Sequence, residues 1–250
     1  MSLQVSALCR HPVKSLGEER VEQVTLTEGA PMPWDRVWAI AHGATEWNPA
    51  NPKWEIPSNF LNQTHCPRMA QILVAFDETS GEMTLSHPDL GEIRLDPEAE
   101  QARLCDWIAP LAEGTTRSGP YRLCKAAGVA FTDFEDTHIA IASHASLRAL
   151  EEMAGHPLEL IRFRMNIWVE GGAPWEELDW VDREITIGGA RLRVTARDQR
   201  CNATTASPVT GQRDVQIPAL LRRRFGHMDF GVYAQVISGG LVRQGDPVHV

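Results

Sequence analysis

Residues 193–214 read RVTARDQRCNATTASPVTGQRD. The lead-in LRVTA, residues 192–196, alternates apolar and polar positions as a half-buried strand does. It delivers the chain to Cys201, with Arg200 before it, Thr204 and Thr205 after it, and a Pro-x-Thr-Gly turn at 208–211. A thiol placed among cations and hydrogen-bond donors favours its thiolate, and a thiolate binds a soft transition metal or attacks as a nucleophile. The same residues also suit a buried cysteine at a strand end beside an ordinary turn.

The pattern of this stretch recurs along the chain. SLQVSALCR, VEQVTLTEG, RVWAIAHG, AQILVAFDE, MTLSH, EIRLD, IRFRMNIWVEG, REITIGGARLRVTARD, GVYAQVISGG and LVRQGDPVHV are short alternating or β-branched runs closed by Gly, Pro or Asp. Helical spacing is rarer. AEQARLCDWIAPLAE is amphipathic, SHASLRALEEMAG opens on cap-forming serines and ends at Gly155, and IPALLRRRFG has Pro218 at its start. The fold expected is mainly β with a few helices, an α+β arrangement. A Pro- and Asn-rich stretch at 47–66, WNPANPKWEIPSNFLNQTHC, reads as a long ordered loop of the kind that carries function. The break EGTTRSGPYR, 113–122, sets an expected boundary between domains 1–112 and 113–250. SLGEERVEQV and the run Arg222, Arg223, Arg224 read as solvated faces.

Composition narrows the partners. With 250 residues and 43% hydrophobic content the chain can bury a substantial core. A formal net charge of −9 argues against nucleic acid or an anionic membrane and for a small molecule or a protein. The absence of a long apolar run and of a leader-like N-terminus sets the expectation of a soluble, cytoplasmic protein. Five scattered cysteines, Cys9, Cys66, Cys105, Cys124 and Cys201, form no CxxC pair, which suits a reducing compartment and speaks against an iron–sulfur cluster. Nine histidines include no HExxH, so a zinc hydrolase is not expected.

RCNATTASPVTG, 200–211, resembles the signature of the MOSC family, the C-terminal domain of molybdenum cofactor sulfurases that also occurs in amidoxime-reducing proteins. RHPVKSLGEERVEQVTLTEGAPMPWDRVWAI, 10–40, is similar to the N-terminal β-barrel domain that accompanies it, and HIAIASHASL, IRFRMNIWVEG and GVYAQVISGGLVRQGDPVHV follow in the family's order. The resemblance implies a MOSC β-barrel with an N-terminal β-barrel domain packed on it. It implies the molybdenum cofactor, molybdopterin with its metal, and Cys201 as metal ligand and catalytic residue.

Further positions follow from the same resemblance. Lys14, Ser15 and Arg36 match contacts to the pterin and phosphate end, and their side chains are suitable phosphate donors. Arg164 and Asn166, two apart on an expected strand, would face one side together, and in the family both lie at the cofactor. Arg200 would anchor phosphate or offset the charge of the dithiolene. Ser143 and Ser146, at a helix start, suit either capping or anion binding. Tyr233 matches an aromatic near the site and equally suits the core. One departure stands out. Amidoxime reducers carry acidic residues on both sides of the loop proline, where this chain has Ser207 and Val209 around Pro208. The expected function is reduction of N-oxygenated small molecules with electrons from a separate electron-transfer protein. The alternative is a sulfur carrier or cofactor-handling protein that uses a Cys201 persulfide.

Overall fold

The computed structural model describes residues 2–136 and 138–250. The first half contributes β1 (Gln4–Arg10), β2 (Glu19–Val21), β3 (Gln23–Leu26), β4 (Trp38–Ala41), β5 (Leu73–Phe76), β6 (Met83–His87), β7 (Gly91–Leu95) and α1 (Gln101–Ala112). There follow β8 (Arg122–Lys125), β9 (Ile139–Ser143), α2 (His144–Ala154), β10 (Ile167–Glu170), β11 (Glu184–Ile187) and β12 (Ala190–Gln199). The chain ends with α3 (Ile217–Phe225), β13 (Asp229–Ser238), β14 (Gly240–Arg243) and β15 (Val248–His249). The molecule is thus mainly β with three helices among the described residues. Among the described residues no helix is long and apolar enough to cross a membrane.

One eight-stranded sheet dominates, in the order β15-β11-β12-β13-β9-β10-β1-β2. Its pairs are antiparallel except for β9 with β10. The alternating residues of β12 explain its place, since Ala190, Leu192 and Val194 point inward while Arg191 and Arg193 are exposed. They join Val5, Leu8, Ile141, Ile167 and Val232 in the sheet's interior. Burying each such side chain stabilises the fold by about 1.5–3 kcal/mol.

The expected closed barrel is not formed as a continuous ladder. The sheet curls until its ends meet at one place, where Gln4 bridges Pro247, Val5 N donates to Asp246 O at 2.9 Å and Val248 N donates to Leu3 O at 3.0 Å. The N-terminal half is likewise built from small sheets, β5-β6-β7 and β4-β8, around a core that includes α1, while β3-β14 packs Leu26 and Val242 into the core of the large sheet. Hydrogen bonds also cross the expected boundary at 112/113. β1 lies in the large sheet beside β10, β3 pairs with β14, and β8 pairs with β4.

The helix ends follow local chemistry. Ser143 Oγ accepts from Ala145 N at 3.0 Å to cap α2, and Gly155 closes the helix at φ 78°. α3 starts with Pro218 in its first turn and stops at Gly226, φ 80°. Of the stretch read as a solvated face, SLGEERVEQV, only part is solvated. Glu18 buries its carboxylate 3.7 Å from His11, and Glu19 accepts from Arg10 at 2.6 Å.

Candidate functional site

Cys201 lies two residues beyond the end of β12 in an extended conformation, and a 3-10 turn follows at Asn202–Thr205. The threonines expected to surround the thiol are committed elsewhere. Both are buried; Thr204 Oγ1 donates to Cys201 O at 2.9 Å and Thr205 Oγ1 to Asn202 O at 2.7 Å. They hold the turn, and the thiol instead contacts Thr64 of the 47–66 loop, with Sγ 3.8 Å from Oγ1. Of the five cysteines only Cys201 is exposed. Burial pushes the Cys105 thiol up to about 11 and that of Cys124 to about 12.

Cys201 stands on the rim of a cavity of about 340 Å³ between the two halves. Its lining includes Lys14, Arg36, Arg117, Arg162, Arg164 and Arg200 against only two carboxylates, Asp133 and Asp198. An excess of cation in a partly enclosed space selects an anionic occupant. Arg162 is forked onto Asp214 with two bonds of 2.8 Å and Arg36 is paired with Asp35, both carboxylates lying outside the lining, while Arg117 and Arg164 have no carboxylate within salt-bridge distance among the described residues.

The end of β1 and the turn after it bring in the first cations. Lys14 Nζ is buried and donates to Phe131 O at 2.9 Å and Asp133 Oδ1 at 2.7 Å. The Lys14 ammonium holds the Asp133 carboxyl down at about 2. Ser15 lines the cavity with φ 66°. Arg36 pairs with Asp35 and donates to Arg164 O at 2.8 Å. Asp35 is buried, yet Arg36 and His11 keep its carboxylate well below the ordinary range.

Arg164 and Asn166 reach the cavity by a different route from the strand expected. Residues 160–162 form a 3-10 turn, β10 begins only at Ile167, and Arg164 sits at φ 52°. The Arg164 guanidinium donates to Gly17 O at 3.1 Å and is buried beside Arg36, which together lower it to about 9. Asn166 is a wall residue: Ala140 N donates to its Oδ1 at 3.0 Å and its Nδ2 donates to Cys9 O at 3.3 Å. Three of the six non-glycine residues at positive φ, Ser15, Arg36 and Arg164, line this cavity. Such backbone strain persists where surrounding structure over-determines it, and it concentrates at ligand clamps.

Beside the thiol, Arg200 pairs with Asp198, donates to Phe163 O at 2.9 Å and leaves its buried Nε without a partner. Asp198 is buried deeply enough that its carboxyl is pushed up to about 6 despite Arg200, and the Tyr233 hydroxyl hydrogen-bonds to it. Tyr233 is therefore a cavity residue with a polar role as well as a packed ring. His138 also lines the cavity with its buried Nδ1 unpartnered, and burial lowers its pKa.

Ser143 and Ser146 do not line this cavity. Ser143 caps α2, while Ser146 donates to Glu177 Oε2 at 2.7 Å and accepts from Trp175 N at 2.7 Å. Sequence reading missed Asp133, Asp198, His138 and Arg117, which are common residue types in no recognisable spacing. The 47–66 loop did signal itself through its prolines and asparagines, and Asn62, Thr64 and His65 line the mouth. Arg117 Nη2 donates to His65 Nε2 at 3.0 Å; burial and this cation lower the imidazole's pKa. Among the described residues no group of three His, Cys, Asp or Glu side chains is placed to hold a metal ion.

The MOSC domain model matches residues 126–249 and the MOSC N-terminal beta barrel domain model residues 2–116. The chain belongs to the MOSC family. A similar relative is the mitochondrial amidoxime-reducing component 1 of Xenopus laevis, 31% identical over 44% of this chain and 35% of that protein. Another is molybdenum cofactor sulfurase 3 of Aedes aegypti, 27% identical over 71% of this chain and 28% of the sulfurase. This MOSC chain therefore spans little more than a third of the first relative and less of the second. The YUAD protein from Bacillus subtilis aligns in structure over 99% of this chain and 94% of its own, at 13% identity and a TM-score of 0.46.

Proposed function

We propose that this MOSC protein is a molybdenum cofactor-binding oxidoreductase that reduces N-oxygenated small molecules, with Cys201 as the protein ligand to molybdenum. The observation that supports it most is one exposed thiol on the rim of a cavity whose cations outnumber its carboxylates. The donor set fits the group. A thiolate suits a soft metal, and guanidinium and ammonium suit phosphate and dithiolene charge. Arg200 Nε is a buried donor still lacking an acceptor.

Lys14, Ser15, Arg36 and Arg164 would hold the pterin and phosphate end, Arg200 would offset charge next to Cys201, and Asn166 and Tyr233 would form the wall. When bound, the cofactor supplies the two-electron chemistry that takes oxygen from the substrate's nitrogen; the protein's share is position and electrostatics. Losing that oxygen as water consumes two electrons and two protons. A separate electron-transfer protein delivers the electrons in this reading. Asp198, with its carboxyl near 6 and its bond to Tyr233, is placed to hold a proton at the cavity wall. We place the protein in the cytoplasm.

The sulfurase alignment over 71% of the chain supports a second reading, in which Cys201 carries a persulfide or holds the cofactor for transfer. Benzamidoxime reduction with an artificial electron donor separates the two. The reductase reading expects turnover by the cofactor-loaded protein and its loss in Cys201→Ser. A mass gain of one sulfur on Cys201 after cysteine desulfurase treatment, without turnover, favours the carrier.

A further inference from the structure

Cys201 also borders a second, more open groove of about 680 Å³ on the outer side of the cavity rim. Thr64, Arg200 and Cys201 are common to both spaces, so the thiol stands between them. The groove's far wall is α3, which contributes Arg222 and Arg223, with Gln199, Asn202 and Gln216 beside them. No Asp or Glu lines it. Among the described residues neither Arg222 nor Arg223 has a carboxylate within salt-bridge distance, and Arg222 Nη2 donates only to Met228 Sδ, at 3.1 Å, on the groove's own wall. In a chain of net charge −9, Arg200, Arg222 and Arg223 around a groove that no Asp or Glu lines give the space beside the thiol a local positive charge.

We infer that this groove is the substrate entrance and that Arg222 and Arg223 select N-oxygenated substrates bearing a carboxylate or comparable anionic group, oriented with the N–O end toward Cys201. The inference rests on the reductase reading and names its substrate class. The inner cavity holds the cofactor in that reading and leaves the outer groove for the molecule to be reduced. A volume of 680 Å³ lies in the range of small-molecule sites. Guanidinium forks recognise carboxylates with a geometry that a neutral amidoxime cannot satisfy. Both side chains are exposed, so their charge is screened and the discrimination is moderate.

The test compares benzamidoxime with 4-carboxybenzamidoxime. Turnover is measured on cofactor-loaded protein with an artificial donor, and binding by calorimetry on protein without cofactor. Wild type should favour the carboxylate compound. The double variant Arg222→Ala/Arg223→Ala should lower the ratio of kcat/KM, carboxylate over neutral, by about tenfold and weaken binding of the carboxylate compound to a similar extent. Arg224→Ala, on the same helix turn but outside the groove, should leave both unchanged. The preference should shrink in high salt. Turnover with an unchanged ratio overturns this inference and leaves the reductase reading intact. Binding that depends on Arg222 and Arg223, without reduction of either compound, overturns the reductase reading and leaves the groove's anion selectivity standing. An equal fall for both compounds, seen only with a protein donor, assigns the arginines to donor docking and overturns the inference.

Discussion

The Cys201 thiol lies 3.8 Å from the Thr64 hydroxyl, across 137 residues of sequence. The segment just beyond β12 that carries the cysteine thus meets the loop of the N-terminal half at the cavity mouth. The contact is a sulfur–hydroxyl hydrogen bond in which either atom can donate. Iodoacetamide at pH 7 should label Cys201 alone in the native protein, since the other four thiols are buried. Thr64→Val should slow that alkylation by about threefold, on the scale of one weak hydrogen bond. Labelling of Cys66, Cys105 or Cys124 at a similar rate would show that the thiol is not singled out.

The cluster of cations creates a cost that an anion relieves. Arg164 is lowered to about 9 because it is buried next to Arg36, so its charged form is held under strain at neutral pH. Phosphate should raise Tm above that in chloride of equal ionic strength. Saturation tenfold above Kd is worth about 1.4 kcal/mol, or roughly 3–5 °C for a chain of this size. Because the folded-state value lies below the unfolded one, the guanidinium is charged below about 9 and loses its proton above it. The phosphate increment should therefore be full at pH 7 and fade as pH rises through 9. Arg164→Gln should abolish most of it; an undiminished increment would place the anion elsewhere.

Gly231 interrupts β13 at φ 79°, where an added Cβ would sit 2.6 Å from Ile141 O and 2.7 Å from Met165 Cε. Gly231→Ala therefore meets a backbone atom in a conformation that L-residues avoid. The expected loss is about 2–4 kcal/mol, seen as a Tm lower by roughly 5–10 °C. A Tm unchanged within error would mean that β9 and β13 are packed less closely than described.

What the sequence revealed was local. Ser143 and Gly155 bracket α2 because capping depends on neighbours within a turn. Cys201 stood out through the residues on either side of it, and the 47–66 loop through its prolines. What it hid depends on chain crossings. Arg164 and Asn166 were expected on one strand, but backbone carbonyls from residues 13–17 draw Arg164 into a left-handed conformation that period-two reasoning does not foresee. Ser146 looked free to bind an anion until Glu177, 31 residues on, took its hydroxyl. Asp198 gains its raised carboxyl from burial, against the pull of Arg200, and Asp133 its lowered one from the lysine packed against it. The mainly β fold of the family resemblance is present, but its large sheet stays an open ladder with only an isolated bridge between Gln4 and Pro247.

The central claim is that Cys201 ligates molybdenum in the cationic cavity. X-ray absorption at the molybdenum edge tests it most directly, on protein from a molybdate-fed host in which a control molybdoenzyme is loaded. The account predicts molybdenum bound with pterin in wild type, and a metal shell that loses one sulfur in Cys201→Ser. Molybdenum-free wild-type protein from that host, or an unchanged sulfur shell in the variant, would contradict it.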